Sequence, residues 1–414
     1  MQSVQQTDPI RGVTGILAWS EILARSGRAP SRSEIRDLLS VTSRKDVIGF
    51  GGGLTAPELF PAAEFTEALR RVLERRPAVA LQYGPTEGLA ELREVVAARL
   101  RRRGIECTAA DVLITTGSQQ ALDLVASALV DRGAPLLLEA PTYVGALQAF
   151  RGCDPEFVSF STDGKGMCVD EARAWLGRNR GGASLLYTIP SFQNPSGVTM
   201  SSRRRARLLD LMNEHGVPVV EDDPYGELVF EGEVPRALRA MPGGEDVVYV
   251  GTFSKVLTPG IRLGYVVAPR PLLERLILLK QGRDLHTDGL AQCMVAEYCT
   301  SFGLDEHIEQ LKVAYRGRRD AMLDALETSM PEGVVWTRPS GGMFLWVTLP
   351  DELAARELLG AALEAGVSFV PGTAFHADGG GAHSLRLNFT SSSLYQIAKG
   401  VGILGGLVRD RLAR

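Results

Sequence analysis

Between about residue 100 and residue 270 short apolar runs alternate with longer amphipathic stretches, and this alternation limits the fold more than any other feature. The runs are DVLITTG, PLLLEAP, SLLYTIP, VPVVEDDP, VVYVGTF and LGYVVAP, and between several of them lie helical stretches such as QQALDLVASALVD and SSRRRARLLDLMNEHG. Strands buried on both faces and separated by helices indicate βαβ units and a largely parallel sheet. The fold class is therefore α/β, a mostly parallel central sheet flanked by helices.

The C-terminal portion reads differently. Long helical patterns from GRDLHTDG to LETSM lead into short strands at GGMFLWVTLP, VSFVPG and SLRLNFT, with helices around AARELLGAALEAG and at the end. That is a second, smaller α+β unit. The first fifty or so residues hold a helical SEIRDLLSVTS and a Gly-rich turn, GFGGGLTAPELFP. The expected division is an N-terminal segment 1–60 packing on the smaller unit and the active site, a large domain 61–290, and a small domain 291–414.

A length of 414 residues accommodates two such units. The net charge is −4, from 45 basic and 49 acidic residues, which lacks the broad basic footprint of a nucleic-acid binder. No run of about 18 apolar residues is present, so no membrane span is expected. The N-terminus MQSVQQTDPIRG lacks the basic and apolar regions of a signal peptide. The five cysteines form no CxxC pair, the five histidines no HExxH arrangement. Reduced thiols, a cytoplasmic location and no metal site are the expectations.

Sites in open α/β sheets gather beyond the carboxyl ends of the strands. After DVLIT come Gly117, Ser118 and Gln119, which open a helix. Backbone N–H groups there hold a phosphate readily, although simple capping by Ser118 explains the same residues. After VPVVE comes Asp222, either a turn residue or a buried acid facing a cationic ring nitrogen, with Tyr225 three residues later. Asn194 before Pro195 reads alone as a turn, and Tyr143 after PLLLEAP as a packing or stacking tyrosine.

Lys255 is the sharpest case. It sits in GTFSKVLTPGIRLGY, among small and apolar residues where a strand runs out into a loop. A poorly solvated amine loses its proton more easily and serves as a nucleophile toward a carbonyl, forming a Schiff base. Arg262, seven places on, offers a fixed cation for a phosphate or carboxylate. A snorkelling lysine and a surface arginine are the ordinary alternatives. In SLRLNFT, Leu385, Leu387 and Phe389 share one face while Ser384, Arg386 and Asn388 share the other. The default for that polar face is water, the alternative an arginine clamping a carboxylate.

Together these residues resemble the class I/II aminotransferases, fold-type I enzymes that use pyridoxal 5′-phosphate. The resemblance extends from about Ser33 to the C-terminus and is greatest to the branch holding the 2-aminoadipate and kynurenine aminotransferases and the enzymatic part of MocR-type regulators. Its motifs are LQYGPTEG, TTGSQQALDL, PSFQNPSGVTMS, VVEDDPYGEL, GTFSKVLTPGIRLGY and RPSGGMFLWV. The resemblance implies that Lys255 bonds to the cofactor, Asp222 faces its ring nitrogen, Asn194 and Tyr225 its ring hydroxyl, and Tyr143 stacks on the ring. It implies that Gly117, Ser118, Gln119, Thr252 and Arg262 hold the phosphate. Tyr83 is similar to a family tyrosine that reaches the phosphate from a neighbouring subunit, so a homodimer with shared active sites follows. Arg386 is similar to the clamp for the substrate α-carboxylate, and Asn194, Gly52, Ser33 and Arg36 are further substrate-binding candidates.

The implied reaction moves an amino group between an L-amino acid and a 2-oxo acid by a ping-pong mechanism. Decarboxylation, β-elimination, racemisation and oxidation use the same scaffold and stay open. A MocR-type regulator is disfavoured, since only about 32 residues precede SEIR and leave no room for a winged helix. One departure concerns substrate choice: Thr55 stands in GGLTAPELFP where the branch commonly has proline.

Overall fold

The computed structural model describes residues 47–179, 181–233 and 236–413. After a two-residue strand β1 (Ile48–Gly49) come β2 (Val112–Thr115), β3 (Pro135–Ala140), β4 (Glu156–Asp163), β5 (Gly166–Met167), β6 (Leu185–Thr188), β7 (Val219–Asp222), β8 (Val248–Thr252) and β9 (Gly264–Val267). All but β1 form one eight-stranded sheet in the order β2-β9-β8-β7-β6-β3-β4-β5. The pairs β4-β3, β3-β6, β6-β7 and β7-β8 are parallel.

The continuous apolar runs have a direct cause. Successive side chains of a strand point to opposite faces, and here both faces are covered. Leu136 and Leu138 enter one hydrophobic cluster while Leu137 enters another. In β6, Leu185 and Tyr187 join the first cluster and Leu186 the second. Each fully buried leucine contributes about 1.5–3 kcal/mol.

Two strands depart from the parallel pattern: the two-residue β5 turns back antiparallel on β4 at the sheet edge, and β9 breaks the pattern next to the site. β9 runs antiparallel to both β8 and β2. The connection from β8 holds only a short 3-10 turn at Pro259–Ile261. A parallel return needs a crossover of about a dozen residues or more, usually a helix, so the chain turns straight back. The stretch carrying Lys255 is that turn.

The second unit is an antiparallel sheet of β10 (Val335–Trp336), β11 (Phe344–Thr348), β13 (Val370–Pro371) and β14 (Ser384–Asn388), in the order β10-β11-β14-β13. A further strand, β12 (Val367–Ser368), pairs in parallel with β1, so Ile48 and Gly49 lie against Val367 and Ser368. Of the helices, α1 (Gly117–Leu129) follows β2, and α2 (Leu304–Ser329) packs along α3 (Leu394–Leu412). One apolar cluster runs from Leu113 and Leu138 of the large sheet to Phe344, Leu345 and Leu387 of the small one. The face of β14 expected to meet water is buried, with Arg386 2% and Asn388 0% exposed.

Candidate active site

A cavity of about 230 Å³ opens at the carboxyl edge of the large sheet, lined by residues that follow β2, β3, β6, β7 and β8. Parallel strands deliver their ends to one side, and the residues after them converge although they are far apart in sequence. Ser118, Gln119, Tyr143, Asn194, Asp222, Tyr225, Thr252, Lys255 and Arg262 all line it.

Lys255 is half-buried, and its Nζ donates to the carbonyl of Gly53 at 2.8 Å. Burial first, then the nearby charges of Arg386 and Arg262, bring its amine down to about 8. A carbonyl oxygen is a neutral acceptor and the neighbouring charges are cations, so the ammonium form gains no ion pair there.

Asp222 ends β7 and is 2% exposed. Burial pushes its carboxyl up to about 7, against the hydrogen bond that Tyr187 donates to Oδ2 at 2.8 Å, and Asp223 adds to the rise. Its Oδ1 is buried with no hydrogen-bond partner among the described residues. A buried carboxylate oxygen without a donor is costly, and a cationic N–H would relieve it. Tyr225 accepts from Asn194 Nδ2 at 3.4 Å and packs edge-on against Phe344. Burial raises the phenols of both Tyr225 and Tyr143, so each remains a neutral donor.

The other end of the cavity is built for an anion. Thr116 at the N-cap of α1 lends no side-chain cap to the helix start. Arg262, held at φ 54, sets its guanidinium over that start: a Cβ on Gly117 would lie 2.5 Å from Nη2. Left-handed backbone is costly for arginine and concentrates at functional positions. Helix N-terminus and guanidinium are both positive, and an anion between them satisfies both. Gly264 lets β9 pass this close, since a Cβ there would lie 2.6 Å from the backbone carbonyl carbon of Gly117 and the amide nitrogen of Ser118. Thr252 Oγ1 accepts from the Ser254 amide at 3.1 Å beside them. The Gln119 amide is turned aside, donating to the Gly145 carbonyl at 2.6 Å.

Arg386, on the small sheet, does not line the cavity itself but is bonded to Asn194, which does. Its Nη1 donates to Asn194 Oδ1 at 2.8 Å and its Nη2 to the Gly51 carbonyl at 2.7 Å. Its guanidinium lies 4.2 Å from the ring centre of Phe344 and 4.8 Å from that of Phe375. Aromatic faces hold a planar cation in one orientation while leaving its edge free for a carboxylate. Its Nε has no partner among the described residues, and burial lowers the group to about 10.

Not every expected residue comes to this cavity. Tyr83 is 79% exposed and touches His286 edge-on, outside it. Gly52 is buried in the strap above, its carbonyl accepting from Asn388 Nδ2 at 2.8 Å. Ser33 and Arg36, with the helical SEIRDLLSVTS, lie outside the described residues. Ser118 is inside the first turn of α1 rather than its N-cap, which is Thr116. Sequence reasoning passed over Tyr187, Ser254, Phe344, Phe375 and Asn388. Tyr187 had a usable signal, a phenol in an otherwise aliphatic buried strand, and Asn388 another, its place on the face of Arg386; the rest had none.

The family model described as aminotransferase class I and II matches residues 52–401. A 2-aminoadipate transaminase of Thermus thermophilus is 46% identical over 400 residues, covering 96% of this chain and 99% of its own. An aromatic-amino-acid aminotransferase of Thermococcus litoralis is 42% identical over 386 residues, covering 92% of this chain and 93% of its own. Among solved structures, an alpha-aminoadipate aminotransferase from Thermus thermophilus, complexed with N-(5′-phosphopyridoxyl)-L-leucine, superposes with a TM-score of 0.90. It is 44% identical, over 96% of this chain and 100% of that one.

Proposed function

The chain belongs to the class I and II aminotransferases, and we propose that Lys255, Asp222 and Arg386 carry its transfer of an amino group between an L-amino acid and a 2-oxo acid. The enzyme depends on pyridoxal 5′-phosphate. One observation carries the assignment of roles: a lysine amine, a buried carboxylate with a bare oxygen and an anion cup share one cavity of about 230 Å³. The donor set fits the cofactor. Asp222 Oδ1 lacks the cationic partner that a protonated ring nitrogen provides, and Arg262 with the start of α1 lacks the anion that a phosphate provides.

When bound, pyridoxal phosphate supplies an aldehyde carbon that takes the amino group and a protonated ring that draws electrons from the substrate α-carbon. Lys255 Nζ would hold the cofactor at its aldehyde carbon, and as a free amine it would take the proton from the substrate α-carbon and deliver it to that aldehyde carbon. An amine titrating at about 8 does both near neutral pH. Asp222 would keep the ring protonated by charge pairing. Asn194 and Tyr225 would hold its hydroxyl, Tyr143 its ring, and Gly117, Ser118, Gln119, Thr252 and Arg262 its phosphate. Arg386 clamps the substrate α-carboxylate, with Asn194 and the Gly52 strap beside it, and so sets which bond at the α-carbon breaks. Ser33 and Arg36 are candidates for side-chain choice. The names of the two relatives support a donor that is 2-aminoadipate-like or aromatic.

A homodimer with shared sites completes the proposal. Val79, Leu81, Tyr83 and Leu285 are 44%, 67%, 79% and 53% exposed. Residues 79–82 lie over Gly289, so this apolar strip is one patch that a second copy would cover. Tyr83 would then reach the partner's phosphate. The divisions at residues 60 and 290 remain our proposed domain boundaries. No helix among the described residues is long and apolar enough to cross a membrane. All five cysteines are free, which supports a cytoplasmic location.

The test is a half-reaction screen. Purified protein is mixed with single L-amino acids without an oxo-acid acceptor, followed by absorbance and product mass. Amination of the cofactor with release of the matching oxo acid supports transamination and names the donor; carbon dioxide or an eliminated side-chain group overturns it. Light scattering of the same sample reads the dimer.

A further inference from the structure

Asp222 has two oxygens in two different situations. Oδ2 receives the Tyr187 hydroxyl at 2.8 Å, while Oδ1 has no partner among the described residues. Tyr187 is 0% exposed and lies on β6 opposite Val220 of β7, so its hydroxyl reaches two residues on, to the strand end on the same face. Its ring meets Phe150 edge-on, with centres 5.3 Å apart, inside the main apolar cluster. A hydroxyl buried this deeply needs a partner, and donation to a carboxylate favours the ionised acid.

The adjacent acid is handled on the opposite face of the strand. Asp223 accepts from Arg103 at 2.5 Å and from Tyr249 at 2.8 Å, and those donors hold it below the usual carboxylate range despite burial. Both donors meet Asp223 Oδ2, and its Oδ1, like that of Asp222, has no partner among the described residues; what sets Asp222 apart is that it lines the cavity and has no cation bonded to it. The other titratable groups around Asp222 are Tyr143 and Tyr225, both neutral phenols, with Lys255 and Arg262 on the same cavity wall.

We propose that Tyr187 is a positioning residue that occupies Asp222 Oδ2, keeping the acid ionised and Oδ1 turned toward the ring nitrogen of the cofactor. The inference rests on the role given to Asp222 above. Tyr187 touches neither substrate nor reacting atoms; it acts by fixing the orientation and proton affinity of the carboxylate. Without its O–H, Asp222 holds a proton to higher pH, and a protonated Asp222 no longer pairs with a ring cation.

The experiment compares Tyr187→Phe, which keeps the packed ring, with Asp222→Asn and the double variant. Cofactor-free protein is titrated with pyridoxal phosphate from about pH 5 to about pH 9, and affinity is read by quenching of intrinsic fluorescence. In Tyr187→Phe we expect affinity to fall about tenfold near neutral pH, with the acid limb of the profile moved to higher pH. In the Asp222→Asn background the same change adds nothing. Fluorotyrosine at 187, a stronger donor, moves the limb the opposite way and serves if the phenylalanine variant does not fold. If Asp222→Asn loses affinity but Tyr187→Phe matches the parent at every pH, the inference fails alone. An equal loss from Tyr187→Phe in both backgrounds assigns it to packing and also overturns the inference. Unchanged affinity in Asp222→Asn sinks the underlying role of Asp222 instead.

Discussion

Lys255 Nζ and the carbonyl oxygen of Gly53 are hydrogen-bonded at 2.8 Å across 202 residues of sequence. The contact is part of a row: carbonyls of Gly51, Gly52 and Gly53 accept from Arg386, Asn388 and Lys255 in turn. The Gly-rich strap is therefore fastened to β14 at two points, and at a third to the Lys255 amine.

The low proton affinity of Lys255 gives a rate prediction. With its amine at about 8, cofactor capture by the cofactor-free protein accelerates as pH rises and levels off above that value. Borohydride trapping followed by peptide mass gives the rate at each pH. A midpoint near the ordinary lysine value of about 10.4 would show a solvated amine. Lys255→Ala traps no cofactor and loses at least about a thousandfold in turnover, within the reach of a general acid–base group.

Three buried carboxyls make the cofactor-free fold pH-sensitive. Burial raises Glu139, Glu221 and Asp222 each to about 7, so between the ordinary carboxylate range and about 7 the folded chain binds more protons than the unfolded one. Stability from these groups is present at low pH and is lost as pH rises through about 7. The melting temperature of cofactor-free protein is expected to fall from about pH 5 to about pH 8. Added pyridoxal phosphate raises it more at the higher pH, because only the ionised Asp222 pairs with the ring. A melting temperature that rises across this window would contradict the burial of these acids.

Gly264→Ala tests the anion cup. The added methyl would lie 2.6 Å from the backbone of Gly117 and Ser118, and backbone cannot rotate away. Overpacking of this kind costs about 1–3 kcal/mol. We expect a folded protein with affinity for pyridoxal phosphate lowered at least about tenfold, since the start of α1 must shift. Calorimetric titration against inorganic phosphate separates this from an effect on the ring end: if phosphate binding is unchanged, the cup is elsewhere.

Arg386→Lys separates substrate from cofactor. Lysine keeps the charge but loses the fork that meets Asn194 and Gly51 and the stacking between Phe344 and Phe375. At a bidentate, stacked site that exchange is not conservative. Expected is a loss of about a hundredfold in kcat/KM for the amino acid, with cofactor affinity within a few-fold of the parent. Equal losses in both would place Arg386 in the cofactor site.

The residues after β2, β3, β6, β7 and β8 were legible because a parallel sheet brings strand ends together whatever the helices between them do. Position singled out Lys255, Asp222, Asn194, Tyr143 and the opening of α1 as candidates, and the family resemblance supplied their expected roles. Other parts were harder to read. The apolar run GYVV does not show its direction, and the antiparallel course of β9 becomes clear only once the short connection from β8 is located. The alternation in β14 separated Arg386 from Leu387 but did not say which face is covered; the Phe50–Leu54 strap decides that.

The sequence by itself determined the α/β class, the strand ends that carry chemistry and the residue types able to do it, because periodicity and chain direction are local properties. Only the tertiary structure decided that Tyr187 donates to Asp222, that glycine carbonyls meet Lys255 and Arg386, and that two aromatic rings flank the guanidinium. The reason is physical: a backbone carbonyl is the same group at every residue. A buried hydroxyl acquires its role only from the atom that packing sets about 2.8 Å away.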